Sequence, residues 1–313
     1  MSAVTDLSIR IGTLTLQGPV LAASGTYGYG DEFAGRYALE SLGGIVTKTV
    51  TLKPRAGNPP HRMVETPSGM LNSIGLENVG LKAFVQHKLP NLVGVPTAIV
   101  ASVGGETPGE LVRLVRALEA APCAGYEINF SCPNVARGGA RYWADARRLE
   151  STTRKLRALT ARPLIAKLTP NATDPGALAR ACEAGGADAV SLVNTFVGTA
   201  IDLERREFVL GRATGGLSGP AIKPLALAQV YEVSGAVRIP VVGMGGIVTP
   251  ADALEFLVAG AACVQVGTAN FARPDAPVRI ARGIADWCRA RGVARIGDLV
   301  RSVRVAGAGD AWT

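Results

Sequence analysis

Short apolar runs alternate with longer amphipathic stretches along nearly the whole chain, and no other feature restricts its folding so sharply. The runs are Pro19–Ala23, Gly44–Thr49, Thr97–Ala101, Tyr126–Phe130, Leu164–Leu168, Ala189–Val193, Val241–Met244 and Cys263–Val266. Each is too short for a helix and too apolar for a loop, which is how a strand buried on both faces reads. The stretches between them carry helical spacing, over about 31–42, 76–89, 108–120, 144–160, 174–184, 221–234, 250–259 and 277–291. Several open on a capping residue followed by proline, as in Thr107-Pro108, Asp174-Pro175 and Thr249-Pro250. Eight such strands, each followed by a helix, predict a (β/α)8 barrel. Two connections exceed plain barrel loops: Thr49–Ser73, rich in Pro and Gly, and Asn194–Pro220. Both follow strand ends, and each is read as a lid or a small hairpin excursion.

Size and composition fit that barrel. A chain of 313 residues, 48% hydrophobic, suffices for one large core, so residues 1–313 are expected to form a single domain. Residues 1–17 have neither the basic head nor the apolar centre of a signal peptide, and no apolar run is long enough to span a membrane. The five cysteines, Cys123, Cys132, Cys182, Cys263 and Cys288, form no C-x-x-C pair. That argues against zinc or an iron–sulfur cluster held by this chain alone and for a reducing cytoplasm. The net charge of +8 is spread over helices such as those carrying Arg113/Arg116 and Arg147/Arg148, without a basic run or aromatic platform. Solvated helix faces explain it better than nucleic-acid binding.

Polar residues gather where the strands end, which in a β/α barrel is the catalytic face. The fourth strand runs into Asn129-Phe130-Ser131-Cys132-Pro133-Asn134, and Pro133 forbids its regular continuation. Cys132 is thus either a small core residue or a group poised for proton transfer between carboxamides. Lys48 and Lys167 stand inside otherwise apolar runs, so each needs a structural ion pair or an anionic ligand. Strands seven and eight end in Gly243-Met244-Gly245-Gly246 and Gly267-Thr268, and Gly215 to Gly219 precede the sixth helix. Such glycines serve tight turns or bare backbone N–H groups for a phosphate. Together with two lysines they point to flavin mononucleotide, FMN, with a lysine stabilising the reduced ring. Asn72, Asn129, Asn134 and Asn194 are of the type that holds a small polar carboxylate.

In these segments the chain resembles class 1 dihydroorotate dehydrogenases, the soluble kind with a cysteine base. The resemblance runs through Lys48 to Leu52, Gly57-Asn58-Pro59-Pro60, Asn72 to Leu76, Asn129 to Asn134, Asn194-Thr195, Gly215 to Pro220, Gly243 to Gly246 and Val266 to Asn270, in order. The regions around Lys48 and Glu65-Thr66-Pro67 are most similar to subclass 1B, the NAD-linked catalytic subunits. The resemblance implies oxidation of (S)-dihydroorotate to orotate in de novo pyrimidine (UMP) biosynthesis, with Cys132 as base and hydride passing to FMN. It implies flavin contacts at Ser24, Lys48, Thr49, Ser102, Asn129, Lys167, Val193, Gly219, Gly245, Gly246, Gly267 and Thr268. It implies substrate contacts at Lys48, Asn72, Ser73, Ile74, Gly75, Leu76, Asn129, Asn194 and Thr195. At the third strand's end the family commonly has Asn where this chain has Ser102, which puts that flavin contact in question. The loop Pro133–Trp143 suits a lid over the site. The resemblance further implies a homodimeric core and a partner subunit carrying FAD and a [2Fe–2S] cluster. This chain has no dinucleotide fingerprint of its own to receive NAD.

Two other readings start from the same residues. One is a dihydropyrimidine dehydrogenase-like FMN enzyme acting on uracil or thymine. The other is a catalytically silent phosphate-binding barrel subunit. The Lys48 and Asn72–Leu76 region favours a substrate with a carboxylate, and intact Cys132, Lys48 and Lys167 favour an enzyme.

Overall fold

The computed structural model describes residues 5–131 and 140–304. The readings at Cys132 and Asn134, and at the loop up to residue 139, fall outside the described residues.

The eight apolar runs are the strands of one closed parallel barrel. They are β1 (Val20–Ala22), β2 (Gly44–Val46), β3 (Ala98–Val103), β4 (Gly125–Asn129), β5 (Leu164–Lys167), β6 (Ala189–Leu192), β7 (Val241–Met244) and β8 (Cys263–Val266). Each pairs with its sequence neighbours, and β8 closes on β1 through Val264↔Val20 and Val266↔Ala22. The ladder shares its central residues across strands: Asn129 stands beside Lys167, and Lys167 beside Ser191. Side chains alternate along a strand, so Glu127 shares the face of Asn129 one layer below it.

Six helices follow the expected pattern: α1 (Pro108–Leu118), α2 (Ala146–Arg157), α3 (Pro175–Ala184), α4 (Lys223–Ala236), α5 (Pro250–Ala259) and α6 (Ala276–Ala290). The predicted starts are true caps. The side chains of Thr107, Asp174 and Thr249 accept from the backbone N–H groups of Glu110, Ala177 and Asp252, each worth about 1 kcal/mol. In α2 the buried residues are Leu149, Thr152, Thr153 and Leu156, the spacing of one helix face.

Two predicted helices are not regular ones. The stretch 31–42 holds only the short turns Asp31–Phe33 and Leu39–Ser41, because Gly35 at φ 73° interrupts any helix there. The stretch 76–89 starts its helix only at Gly80 and winds on through Leu92 as looser and tighter turns. A hairpin of Ile9–Ile11 and Leu14–Leu16 precedes the barrel, and its alternating IRIGTLTL pattern is its sequence signal.

The two long connections are hairpin excursions that meet. Met63–Thr66, Gly69–Asn72, Gly215–Ser218 and Phe196–Gly198 form a four-stranded antiparallel sheet. Met63, Met70, Asn72 and Ser218 from this sheet share one cavity with the strand ends of the barrel, so the sheet walls the barrel mouth.

Candidate active site

A cavity of about 330 Å³ lies at the C-terminal mouth of the barrel, lined by residues at or just beyond the C-terminal end of every barrel strand but β3. Ser24 comes from beyond β1, Lys48 and Thr49 from β2, Asn129 from β4 and Lys167 from β5. Val193, Asn194 and Thr195 follow β6, Gly245 and Gly246 follow β7, and Gly267 and Thr268 follow β8. Asn72, Ile74 and Leu76 enter from the antiparallel sheet and the chain after it, and Gly219 from the end of its third strand. The structure therefore gathers nearly all the residues that the sequence reading marked, from positions almost 250 apart in the chain.

Three of them stand behind the wall instead. Ser102 is fully buried, and its Oγ lies 2.9 Å from Thr49 Oγ1. Its serine is too short to pass Thr49, so it meets the cavity only through that hydroxyl. Ser73 is buried and accepts from Asn58 Nδ2 at 3.2 Å. Gly75, at φ 75°, serves the turn that presents Ile74 and Leu76.

Thr49 is the centre of a polar network across the mouth. Its Oγ1 contacts Ser24 Oγ at 3.3 Å and receives Asn129 Nδ2 at 3.2 Å, besides Ser102. Asn129 Oδ1 accepts from both the backbone N–H and the Oγ of Ser131, at 3.2 and 3.0 Å. Ser131 Oγ in turn accepts from Asn194 Nδ2 at 2.7 Å. The residue next to Cys132 is thus held on two sides by carboxamides of the cavity wall. Ser131 was not among the predicted site residues, although it sits inside the Asn129–Asn134 motif.

The two lysines differ. Lys167 Nζ lies 3.6 Å from Glu127 Oε1, and Glu127 has no exposed surface. Lys48 lines the cavity and makes no ion pair with any described residue. A buried or half-buried cation of that kind calls for an anion. The sequence reading missed Glu127, Gln265 and the apolar wall of Met63, Met70 and Phe271. An acid inside the apolar run of β4 was the available signal for Glu127.

The glycine-rich end fits a phosphorylated ligand. Gly245 and Gly246 hold φ values of 127° and 75°, and their N–H groups donate to no acceptor among the described residues. Gly267 is more telling. Its φ is not left-handed, and a Cβ built there meets only Ala23 Cβ at 3.7 Å and Thr26 Cγ2 at 3.9 Å. Neither backbone nor packing demands glycine at that point, and an added methyl group would take space from the cavity wall. Bare N–H groups, this open cradle and the Lys48 and Lys167 ammoniums fit the phosphate and ring of FMN.

The four described cysteines belong to the core. Burial pushes Cys123 up to about 11 and Cys182 and Cys263 up to about 12, and it also raises Cys288. None of them supplies a thiolate near neutral pH. No helix among the described residues is long and apolar enough to cross a membrane.

Comparison with known proteins agrees with this geometry. The family model described as dihydroorotate dehydrogenase matches residues 6–287. A protein of Trichlorobacter lovleyi named dihydroorotate dehydrogenase B (NAD(+)), catalytic subunit, is 52% identical over 94% of this chain and 97% of its own length. Proteins of the same name from Geotalea daltonii and Geobacter sulfurreducens are each 48% identical. The match covers 97% and 96% of this chain and 100% and 99% of theirs, respectively.

Proposed function

The chain belongs to the dihydroorotate dehydrogenase family, among its NAD-linked catalytic subunits, and on that premise we propose how its residues divide the work. The reaction is oxidation of (S)-dihydroorotate to orotate in pyrimidine biosynthesis. The family is flavin-dependent, and FMN, when bound, accepts the hydride that leaves substrate C6. Residues 1–313 form one FMN-binding barrel domain.

The observation that carries the assignment is one cavity in which Lys48, paired with no described acid, stands with Asn129, Asn194 and the glycine cradle. Gly219, Gly245, Gly246, Gly267 and Thr268 hold the phosphate end of the cofactor. Ser24, Thr49, Asn129, Lys167 and Val193 hold its ring end. Lys48 neutralises the substrate carboxylate, a charge that uracil lacks, while Asn72, Ile74, Leu76, Asn194 and Thr195 complete the substrate wall. Cys132 removes the proton from C5. Its neighbour Ser131 is tied to Asn129 and Asn194, which also face the substrate, so base and substrate share one frame. Shared positioning of this kind matters because small misplacements of a base cost rate steeply.

Electrons leave for NAD through a second subunit carrying FAD and a [2Fe–2S] cluster, docked on a homodimeric core of this chain in the cytoplasm.

The test is stopped-flow reduction of the FMN-loaded protein by dihydroorotate. Cys132→Ala is expected to slow flavin reduction by about 10²–10⁴ while orotate binds nearly as before. Reduction near the wild-type rate removes Cys132 from the mechanism. The wild-type chain alone is expected to pass electrons to artificial dyes but to NAD only after the second subunit is added. Rapid NAD reduction by the isolated chain refutes the two-subunit reading.

A further inference from the structure

A β/α barrel fills its interior with layers of branched apolar side chains. Below the cavity this barrel departs from that rule. Glu127 of β4, Ser191 of β6 and Gln265 of β8 are all fully buried there, with Lys167 at 6% exposure above them. The contacts of Glu127 are lopsided. Its Oε2 accepts from Gln265 Nε2 at 2.6 Å and from Ser191 Oγ at 3.0 Å. Its Oε1 accepts no hydrogen bond from a described residue and lies 3.6 Å from Lys167 Nζ, beyond ordinary hydrogen-bond length. Two donors, from β6 and β8, thus hold one oxygen and leave the other to the lysine. Burying two charges in this way is costly, and apolar residues of similar volume would fill the layer with less penalty. The pair therefore calls for an explanation beyond packing.

We propose that Glu127 is a positioning residue that acts through Lys167: it holds the ammonium at the cavity floor and offsets its charge, which sets the bound flavin to a lower two-electron potential than Lys167 alone would give. The inference rests on the reading that Lys167 meets the flavin ring. Its sign follows from charge. Reduction adds two electrons and one proton and leaves the ring with one negative charge. A lone Lys167 favours that anion, whereas a Lys167 paired with Glu127 favours it less. Gln265 and Ser191 serve as the clamp that keeps the carboxylate turned toward the lysine.

The experiment is a dye-coupled redox titration of FMN-loaded wild-type protein, Glu127→Gln, Lys167→Met and the double variant, with urea unfolding of each apo-protein alongside. Glu127→Gln is expected to raise the ratio of reduced to oxidised flavin at fixed potential at least tenfold, an upward shift of about 30 mV for a two-electron couple. Lys167→Met is expected to shift it downward. In the Lys167→Met background, Glu127→Gln is expected to change the ratio by less than threefold. Apo Lys167→Met, left with a bare buried carboxylate, is expected to unfold at lower urea than the double variant. If Glu127→Gln does not fold, Glu127→Asp, which withdraws the charge by one methylene, replaces it with the same expected direction. An unchanged potential in the folded Glu127 variant overturns the inference. An equal shift with and without Lys167 overturns the claim that Glu127 acts through it. A wild-type chain that binds no FMN, or a Lys167→Met potential equal to wild type, overturns the site reading and this inference with it.

Discussion

Thr49→Val removes one hydroxyl and keeps the shape of the side chain, and the network around Thr49 sets what that must cost. Three contacts disappear: Ser102 Oγ at 2.9 Å, Asn129 Nδ2 at 3.2 Å and Ser24 Oγ at 3.3 Å. Ser24 is only partly buried and can turn to water. Ser102 has no exposed surface and Asn129 is buried, and neither of the two atoms involved has another partner among the described residues. A buried polar atom stripped of its partner costs about 1–3 kcal/mol, so the two together cost about 2–6 kcal/mol. The extra buried methyl group returns about 0.8 kcal/mol. The net loss is then about 1–5 kcal/mol, which in a domain of this size lowers the melting temperature by about 2–8 °C. The assay is thermal unfolding of the apo-protein, followed by titration with FMN. Thr49→Ser, which keeps the hydroxyl and loses a methyl group, is the control and should lose about 1 kcal/mol while binding FMN normally. Weaker FMN binding is expected for Thr49→Val, because Asn129 loses one of the contacts that orient its amide. A Thr49→Val protein as stable as wild type, or a Thr49→Ser protein less stable than Thr49→Val, refutes the network as described.

Gly267→Ala is expected to leave apo stability within about 0.5 kcal/mol, since its Cβ meets nothing closer than 3.7 Å, yet to weaken FMN binding at least ~10-fold by occupying the cradle; fluorescence titration and urea unfolding separate the two effects. Lys48→Met removes a cavity cation that pairs with no described acid and should weaken orotate binding about 10–100-fold with FMN retained, as measured by difference spectra. Asp252→Asn should cost about 1–2 kcal/mol through the α5 capping box and the 2.6 Å contact with Lys223. Burial raises the Asp252 carboxyl, but bonds from Lys223, Val248 and Thr249 outweigh it and hold it below its ordinary 3.8. A depressed carboxylate stabilises above its unfolded value and loses that effect as pH falls through its folded value. The stability gap between wild type and Asp252→Asn should therefore hold above about pH 5 and begin to narrow below about pH 4, and a gap unchanged at pH 3 contradicts the assignment.

Local chemistry was enough to read the barrel from the chain. A parallel strand buried on both faces must be an apolar run, and a helix behind proline needs a capping side chain, so β1 to β8 and the starts of α1, α3 and α5 are written in consecutive residues. The same holds for residue types at strand ends, which is why Lys48, Asn129, Lys167, Asn194 and the glycines after β7 and β8 were legible. Where one glycine at positive φ outweighs helical spacing, as at Gly35 and Gly80, the sequence pattern misleads about a helix. What only the tertiary structure decided is which side chains share a layer. Register across the closed barrel turns Glu127 toward Lys167 and clamps it with Gln265, 138 positions away. It puts Ser102 behind Thr49 instead of in the wall. It joins two distant loops into the sheet that walls the mouth. Those arrangements depend on pairings across the whole chain, and a strand's own sequence carries its faces but not the neighbours they meet.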